Sequence, residues 1–476
     1  MDLSLLPPIR DSGSFRDPGG HVFVCDERVV RTVNAVALEN FRAVEKTGVL
    51  QQLAELGYLI PTRELTSQDI DVSTLKGPRG EVPSVVLEHP RLPFISYPYE
   101  WTFSQLKDAA IAHLDLQIAL IDRNVILTDA TPYNMQFSDR GVFHIDVLSL
   151  RPYREGEYWI GYNQFCRLFL VPLLMEAWSG VPFQPLLRGA IDGMKLADAQ
   201  YLLPARKRFF SINGLLHITV HANSERSGSS SNKASAKIAE RPIPKSRYRA
   251  MLTEMRAWIS SLKTGRRTKS FWNEYAEINS YSEQMHDAKK GYVAAFVEQA
   301  DVGSLWDIGG NTGDFSAVAL GAGARRAVVL DGDLDSLEKA YARRKENALP
   351  LLPLVMDCAD PNAPMGWRQQ ERKGLSQRTN ADAVLALAVV HHLAIGRNIP
   401  LQEVVDWLVS LAPRGIIEFV PKDDPMVQQM LMFRDVEFVD YDEAAFRSYI
   451  DRVGRIVDEH RVTESGRLLV TFERTP

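Results

Sequence analysis

The sequence predicts two differently built halves: an α+β N-terminal half, and a C-terminal α/β half whose parallel sheet ends in an antiparallel hairpin. Three observations carry this expectation. Upstream of residue 222, short strand-like runs come first and helical runs rich in leucine and phenylalanine come later. Over 222–247 the chain reads ANSERSGSSSNKASAKIAERPIPKSR, rich in serine, lysine and proline and nearly empty of large apolar residues, so it reads as a linker. Beyond it, apolar strands alternate with helical stretches, the pattern of a parallel sheet with helices on both faces. RIVDEHRV, a TESG turn and RLLVTFER then read as a final hairpin.

In the N-terminal half, VFVCDERVVRTV predicts two strands around a turn, and ALENFRAVEKTGVLQQLAELG one amphipathic helix closed by Gly57. SVVLEH is strand-like, a helix is predicted over 103–121, and apolar strands flank Ser138-Asp139-Arg140-Gly141. Helical segments fill the remainder to about His217. Downstream, helical segments over 248–262 and 281–299 precede strands over 304–308, 326–330, 353–356, 383–388 and 415–419. The expected divisions are 1–221, a linker over 222–247, a helical part over 248–300 and the sheet domain over 301–476.

With 476 residues the chain is long enough for two or three cores, and 45% hydrophobic with 24% charged residues is the balance of a globular protein. A net charge of −5 gives no broad basic field, so nothing in it points to a nucleic-acid partner. Cys25, Cys166 and Cys358 are too few and too scattered for a disulfide frame or a zinc site, and no metal is expected. The opening MDLSLLPPIRDSGS lacks a basic start followed by a long apolar run. LFLVPLLMEAW falls well short of the roughly 20 residues that span a bilayer. No membrane span and a cytoplasmic location are the expectations.

The densest chemical signal is LWDIGGNTGDFS, where an apolar strand ends at Asp307-Ile308 and Gly309, Gly310 and Gly313 open the next helix. Small residues there let the backbone turn sharply and approach a ligand. Dinucleotides and S-adenosylmethionine both use this geometry. Asp307 favours the second, because a carboxylate repels a pyrophosphate and suits the ammonium of a methionine moiety. Asp331 ends the second strand, suited to two ribose hydroxyls, and Asp357 ends the third, suited to an adenine amino group, with the Cys358 amide beside it. Singly, each acid reads as a loop residue or a helix cap; at successive strand ends they read as ligand contacts.

On these residues the region 269–476 resembles a class I S-adenosylmethionine-dependent methyltransferase, with a Rossmann-like parallel sheet and the terminal hairpin of that fold. The resemblance implies that Asp307, Gly309 and Gly310 line the methionine portion, Asp331 the ribose, and Asp357 with Cys358 the adenine. SYSEQMHDAKKGYVAAFV, with Tyr281 and Lys290, resembles the helical cover of such a cofactor site, the role expected for 248–300. VVHHLAIGRNIPL, IIEFVPKDDPM, SYSEQM and DATPYNMQF are similar to bacterial methyltransferases grouped with host-specific nodulation proteins. His392, Glu418 and Asp423, at the strand ends where a methyl group would point, are the candidate bases. Neighbours on a strand face opposite ways, so at most one of His391 and His392 is expected to reach the acceptor, the other serving as a helix cap. Lys422 reads equally as a turn residue or an anion contact. The acceptor stays open between a glycan, a small metabolite and a protein side chain, as does the oligomeric state.

The N-terminal stretch ILTDATPYNMQFSDRGVFHIDV places Asp129, Asn134 and Asp146 at the spacing with which a protein kinase holds a base and its magnesium. Over 22–178 the chain resembles the protein-kinase-like fold, with departures. Leu127-Thr128 precedes the would-be base, Val147-Leu148 follows Asp146, and Asp17-Pro18-Gly19-Gly20 is a thin substitute for a glycine loop. Arg31 stands where a nucleotide-binding lysine belongs, and its fork is a different donor. Three readings follow: a degenerate kinase-like unit of auxiliary role, a loop held by side-chain to backbone bonds, and a bifunctional kinase and methyltransferase. A non-enzymatic S-adenosylmethionine-binding scaffold is the fourth reading, for the whole chain.

Overall fold

In the computed structural model, the structure describes residues 8–25, 28–78, 80–220, 242–266, 283–378, 380–432, 434, 437–462 and 466–475. Two compact units emerge: Met1–Arg267 together with Met365–Arg372, and Thr268–Pro364 together with Lys373–Pro476. Residues 222–241 of the expected 222–247 linker lie outside the described residues, and its last three, 245–247, belong to a helix instead.

The first unit begins with a five-stranded antiparallel sheet, ordered β1 (Ile9–Arg10), β2 (Val22–Cys25), β3 (Arg28–Val33), β5 (Val85–Pro90), β4 (Arg63–Leu65). β2 and β3 are the predicted pair. The predicted single helix over 37–57 is two, α1 (Ala35–Glu45) and α2 (Val49–Glu55), because Gly48 takes φ 70 and breaks the run. The helical part is built on α3 (Phe103–Ile121), whose start is fixed by a capping box of Thr102 and Gln105. The short ladders β6 (Val125–Leu127) with β9 (Leu150–Pro152) and β7 (Met135–Ser138) with β8 (Gly141–His144) follow it. Helix α4 (Lys245–Ser261), which the sequence reading grouped with the helical part over 248–300, belongs to this unit. Buried Tyr248 accepts a hydrogen bond from Gln117 at 2.8 Å, and Arg249 and Arg256 pair with Asp122 and Asp115, all three partners on or at the end of α3.

The second unit opens with α5 (Glu283–Ala300) and carries a seven-stranded sheet. In chain order come β10 (Ser304–Ile308), α6 (Asp314–Gly321), β11 (Arg326–Asp331), α7 (Leu334–Asn347), β12 (Leu351–Val355) and β13 (Ala383–Ala386). Then follow α8 (Leu401–Ser410), β14 (Arg414–Phe419), α9 (Pro425–Leu431), α10 (Glu443–Val453), β15 (Gly454–Val462) and β16 (Arg467–Arg474). The spatial order is β12-β11-β10-β13-β14-β16-β15, parallel except that β16 runs antiparallel to both β14 and β15. Every predicted strand is present. β10 is buried along its whole length, as a central parallel strand covered on both faces must be. α8 turns Leu401, Val404, Val405, Leu408 and Val409 inward at helical spacing.

The order reverses between β10 and β13, and in an open α/β sheet that switch point opens a crevice at the strands' C-terminal ends. α5 packs Val293, Phe296 and Val297 into one core with Leu305, Leu385, Ile416 and Leu469 of the sheet. Among the described residues no helix is long and apolar enough to cross a membrane. Leu385→Ala, at a fully buried position in β13, is expected to cost about 2–5 kcal/mol in the urea transition of this unit.

Candidate functional site

At the C-terminal end of β10 the chain leaves the sheet through Gly309 (φ 68) and enters α6 through Gly313 (φ 71). Gly310 lies between them, and a Cβ there would stand 2.7 Å from the Asp307 carboxyl carbon and 2.8 Å from Val329 Cγ1. Only glycine fits. The Gly309 amide donates to the Leu330 carbonyl at 2.8 Å, and the Asn311 amide to Asp331 Oδ2 at 2.9 Å. The turn is thereby pinned to the end of β11.

Asp307 is 1% exposed and accepts from Ser316 Oγ at 2.8 Å. Burial pushes its carboxyl up to about 7, with Asp331 adding to the rise. The sequence reading expects this carboxylate to stand open to an ammonium; it lies under Gly310 instead, and the turn faces the crevice. Asp331 is half-buried, and its two oxygens accept from the Asn311 and Asp333 amides at 2.9 and 2.7 Å. Burial raises its pKa, and those amides oppose the rise. Each oxygen keeps a lone pair for a further donor. Asp357 accepts from the Ala359 amide at 2.9 Å and pairs with Arg397 at 2.7 Å. Burial pushes the Cys358 thiol up to about 12, with the Asp331 and Asp357 carboxylates adding to the rise and the Gly309 amide opposing it. Gly309, Asp331, Asp357 and Cys358 are therefore gathered at one place. Tyr281 lies outside the described residues.

The other wall comes from beyond β13. Val389 abuts the glycine turn, its Cγ2 3.1 Å from where a Gly309 Cβ would be. Here the structure departs from the strand expectation for the histidines. β13 ends at Ala386, Ala388 takes φ 52, and His391 and His392 begin a helical turn with ring centroids 4.0 Å apart. Both rings therefore lie together. His391 is 1% exposed, and burial with His392 and Lys289 nearby holds its pKa well below the ordinary value. His392 is half-buried, and burial lowers it to about 4.

Glu418 and Asp423 occupy other settings. Glu418 is fully buried, with its Oε1 2.5 Å from Lys289 Nζ and 3.5 Å from Arg467 Nη1. A carboxylate committed to two buried cations is a structural anchor, which corrects the reading of Glu418 as a base. Asp423 is exposed in the turn after β14, and it is Asp424 that is buried, capping α9 and pairing with Arg467 at 2.7 Å. Lys422 accepts from Gln428 through its carbonyl at 2.6 Å. The sequence reading named Lys290 and missed Lys289 and Arg467, and it took Asp423 as the candidate rather than the neighbouring Asp424. Lys289 had a signal: it precedes Val293 by four residues and Phe296 by seven, a lysine on the apolar stripe of α5.

In the first unit, Asn134 Nδ2 donates to Asp129 Oδ2 at 3.0 Å, and burial raises the Asp129 pKa, with Asp146 contributing. Asp146 caps Leu148 and pairs with Arg31 Nη2 at 3.0 Å, while the same nitrogen reaches Asp17 at 2.5 Å. The three predicted oxygen ligands do come together, with an arginine already on one of them. Among the described residues no group of three or more His, Cys, Asp or Glu is arranged to hold a metal.

Two outcomes are expected. Lys289→Met leaves Glu418 buried without its nearest cation and should lower stability by about 3–5 kcal/mol in denaturant unfolding, with Lys289→Met/Glu418→Leu recovering much of it. Because the Asp307 pKa is raised from 3.8 to about 7 on folding, the folded chain keeps a proton that the unfolded chain releases, so this group's contribution to stability falls as pH rises across that window. Asp307→Asn should flatten the loss of stability between about pH 4.5 and about pH 7.5, measured by urea unfolding.

No family model matches the chain. It is 42% identical over 469 residues to nodulation protein NoeA of Rhizobium meliloti (strain 1021), covering 98% of this chain and 97% of that protein. It is also similar to two solved structures: N-methyltransferase NodS of Bradyrhizobium japonicum WM9 (11% identity, 41% of this chain and 99% of that one, TM-score 0.30) and magnesium protoporphyrin IX methyltransferase ChlM of Synechocystis PCC 6803 (17%, 47% and 94%, TM-score 0.31). Those two likenesses are too slight to build on. The first is not: with that identity along nearly the full length of both proteins, the chain belongs to the nodulation protein NoeA family.

Proposed function

We propose that the protein is an S-adenosylmethionine-dependent methyltransferase in which the C-terminal unit binds the cofactor and carries the chemistry. The observation that supports this most is Asp331, a carboxylate fixed at the tip of β11 beside a glycine turn at the switch point of the sheet. The residues present fit the cofactor. Gly309 and Gly313 take positive φ, and Gly310 has no room for a side chain, so the start of the turn presents backbone to the crevice. The neighbouring acids suit a positively charged ligand and repel a pyrophosphate. Asp331 has lone pairs left for ribose hydroxyls, and Asp357 with Cys358 lies where an adenine edge would follow.

When bound, S-adenosylmethionine supplies a methyl group already activated on a sulfonium. The chain's part is to hold, orient and keep out water. A hydroxyl acceptor also needs a base as it attacks. His392 is the side chain best placed for it, neutral near pH 7 because burial depresses its pKa, and more open than His391. Asp423 is exposed at the next strand end and is the second candidate. The acceptor is a glycan, a small metabolite or a protein side chain.

For the N-terminal unit we favour a degenerate kinase-like fold of auxiliary role. The supporting observation is Arg31, whose guanidinium engages Asp146, the residue that would hold magnesium in an active kinase. The Asn134 to Asp129 bond, which ties the loop to itself, fits the same reading. The bifunctional reading requires Arg31 to vacate Asp146.

Calorimetry tests the main proposal. Wild-type protein should bind S-adenosylmethionine and S-adenosylhomocysteine, and Asp331→Ala should weaken both by about 1–3 kcal/mol. Asp146→Ala should leave that binding unchanged. Folded wild-type protein that binds neither compound overturns the proposal.

A further inference from the structure

Apolar side chains left in water are not spread evenly over this protein. Of the twenty large ones that stand exposed among the described residues, eight lie between residues 201 and 220. Phe209 is 57% exposed, Phe210 86% and Ile212 85%, joined by Leu202, Leu215 and Leu216. They sit on four short helical pieces, Leu196–Leu202, Ala205–Phe210, Ile212–Gly214 and Leu215–Val220. The first and last of these pieces are firmly seated on their inner side, whereas Ala205–Phe210 between them has no buried residue. Leu196, Ala199 and Ile218 are fully buried, the His217 ring stacks on Trp258 with centroids 5.8 Å apart, and Tyr162 Oη lies 2.6 Å from His217 Nδ1. The outward face is thus a built surface of the N-terminal unit.

Its charge is as distinctive as its polarity. Between residues 195 and 220 stand Lys195, Arg206, Lys207 and Arg208 against one acid, Asp198, in a chain whose net charge is −5. The Lys207 ammonium also donates to the Trp178 carbonyl at 3.1 Å and Arg208 Nε to the Leu203 carbonyl at 3.2 Å, which fixes these cations beside the aromatic side chains. Exposed phenylalanine and leucine flanked by arginine and lysine is the composition that lies in the interface of a bilayer with anionic headgroups. Other occupants fit less well. The segment that follows, 221–241, has the sequence HANSERSGSSSNKASAKIAER and carries one large apolar residue, Ile238, too little to cover such a face. A second copy would set like charges against each other.

We propose that residues 202–220 form a peripheral docking surface for an anionic lipid bilayer, with Phe209, Phe210 and Ile212 entering the acyl boundary and Arg206, Lys207 and Arg208 meeting the headgroups. The inference is independent of the methyltransferase reading. Full-length protein is sedimented with vesicles of phosphatidylcholine alone and of phosphatidylcholine with phosphatidylglycerol. Binding should favour the phosphatidylglycerol vesicles and weaken with salt. Phe209→Ser/Phe210→Ser should reduce it by about tenfold or more, and Arg206→Glu/Lys207→Glu should abolish the preference for the anionic lipid. All four side chains are exposed or nearly so, and circular dichroism checks that each variant is folded. The proposal is overturned by failure to bind phosphatidylglycerol vesicles at low salt, by unchanged binding of the phenylalanine variant, or by light scattering that shows self-association through this face without vesicle binding.

Discussion

Gly310 lies so close over Asp307 and Val329 that any side chain there would have to displace the Asp307 carboxyl group and the Val329 side chain. That contact sets the geometry of the C-terminal unit. It brings the turn flush against the ends of β10 and β11, where the Asn311 amide meets Asp331 and the Gly309 amide meets Leu330. It also leaves Asp307 buried, with Ser316 as its donor and its proton held up to about 7. The crevice beside the switch point is therefore lined by backbone on one side and by acids on the other. A phosphate-bearing ligand would meet the wrong charge there.

A second constraint lies one layer below. Lys289 from α5, Glu418 from β14, Arg467 from β16 and Asp424 at the start of α9 form a buried set of two cations and two anions. Such a set contributes little net stability when complete and costs several kcal/mol when one member is removed, so it specifies where α5 sits on the sheet. The same pairing commits the Glu418 carboxylate to structure, which leaves His392 and Asp423 as the candidate bases of the proposed chemistry. In the N-terminal unit Arg31 plays a comparable part between Asp17 and Asp146.

The sheet was readable because its strands are short continuous apolar runs separated by helical periodicity, a local property of the chain. The run SLWDI is found where it was expected, and the strands over 326–330, 353–356 and 415–419 shift by no more than two residues at either end. The glycine turn was equally readable, since glycines between a strand and a helix have few other uses. What eluded sequence reading depends on partners distant along the chain. Lys289 and Glu418 are far apart in sequence, and neither announces the other. Burial of Asp307 follows from the missing side chain of Gly310 and the position of Ser316, and the pairing of His391 with His392 follows from Ala388 turning the backbone out of the strand. The single helix expected over 37–57 breaks at Gly48 because a positive φ cannot be read from periodicity.

The structure of the protein with S-adenosylhomocysteine bound tests the central claim most directly. The expected result is a nucleoside lying across the glycine turn, its ribose hydroxyls on Asp331 and its adenine beside Asp357 and Cys358. A nucleoside seated in the N-terminal unit by Asp129 and Asp146, with the C-terminal crevice empty at saturating ligand, would contradict it.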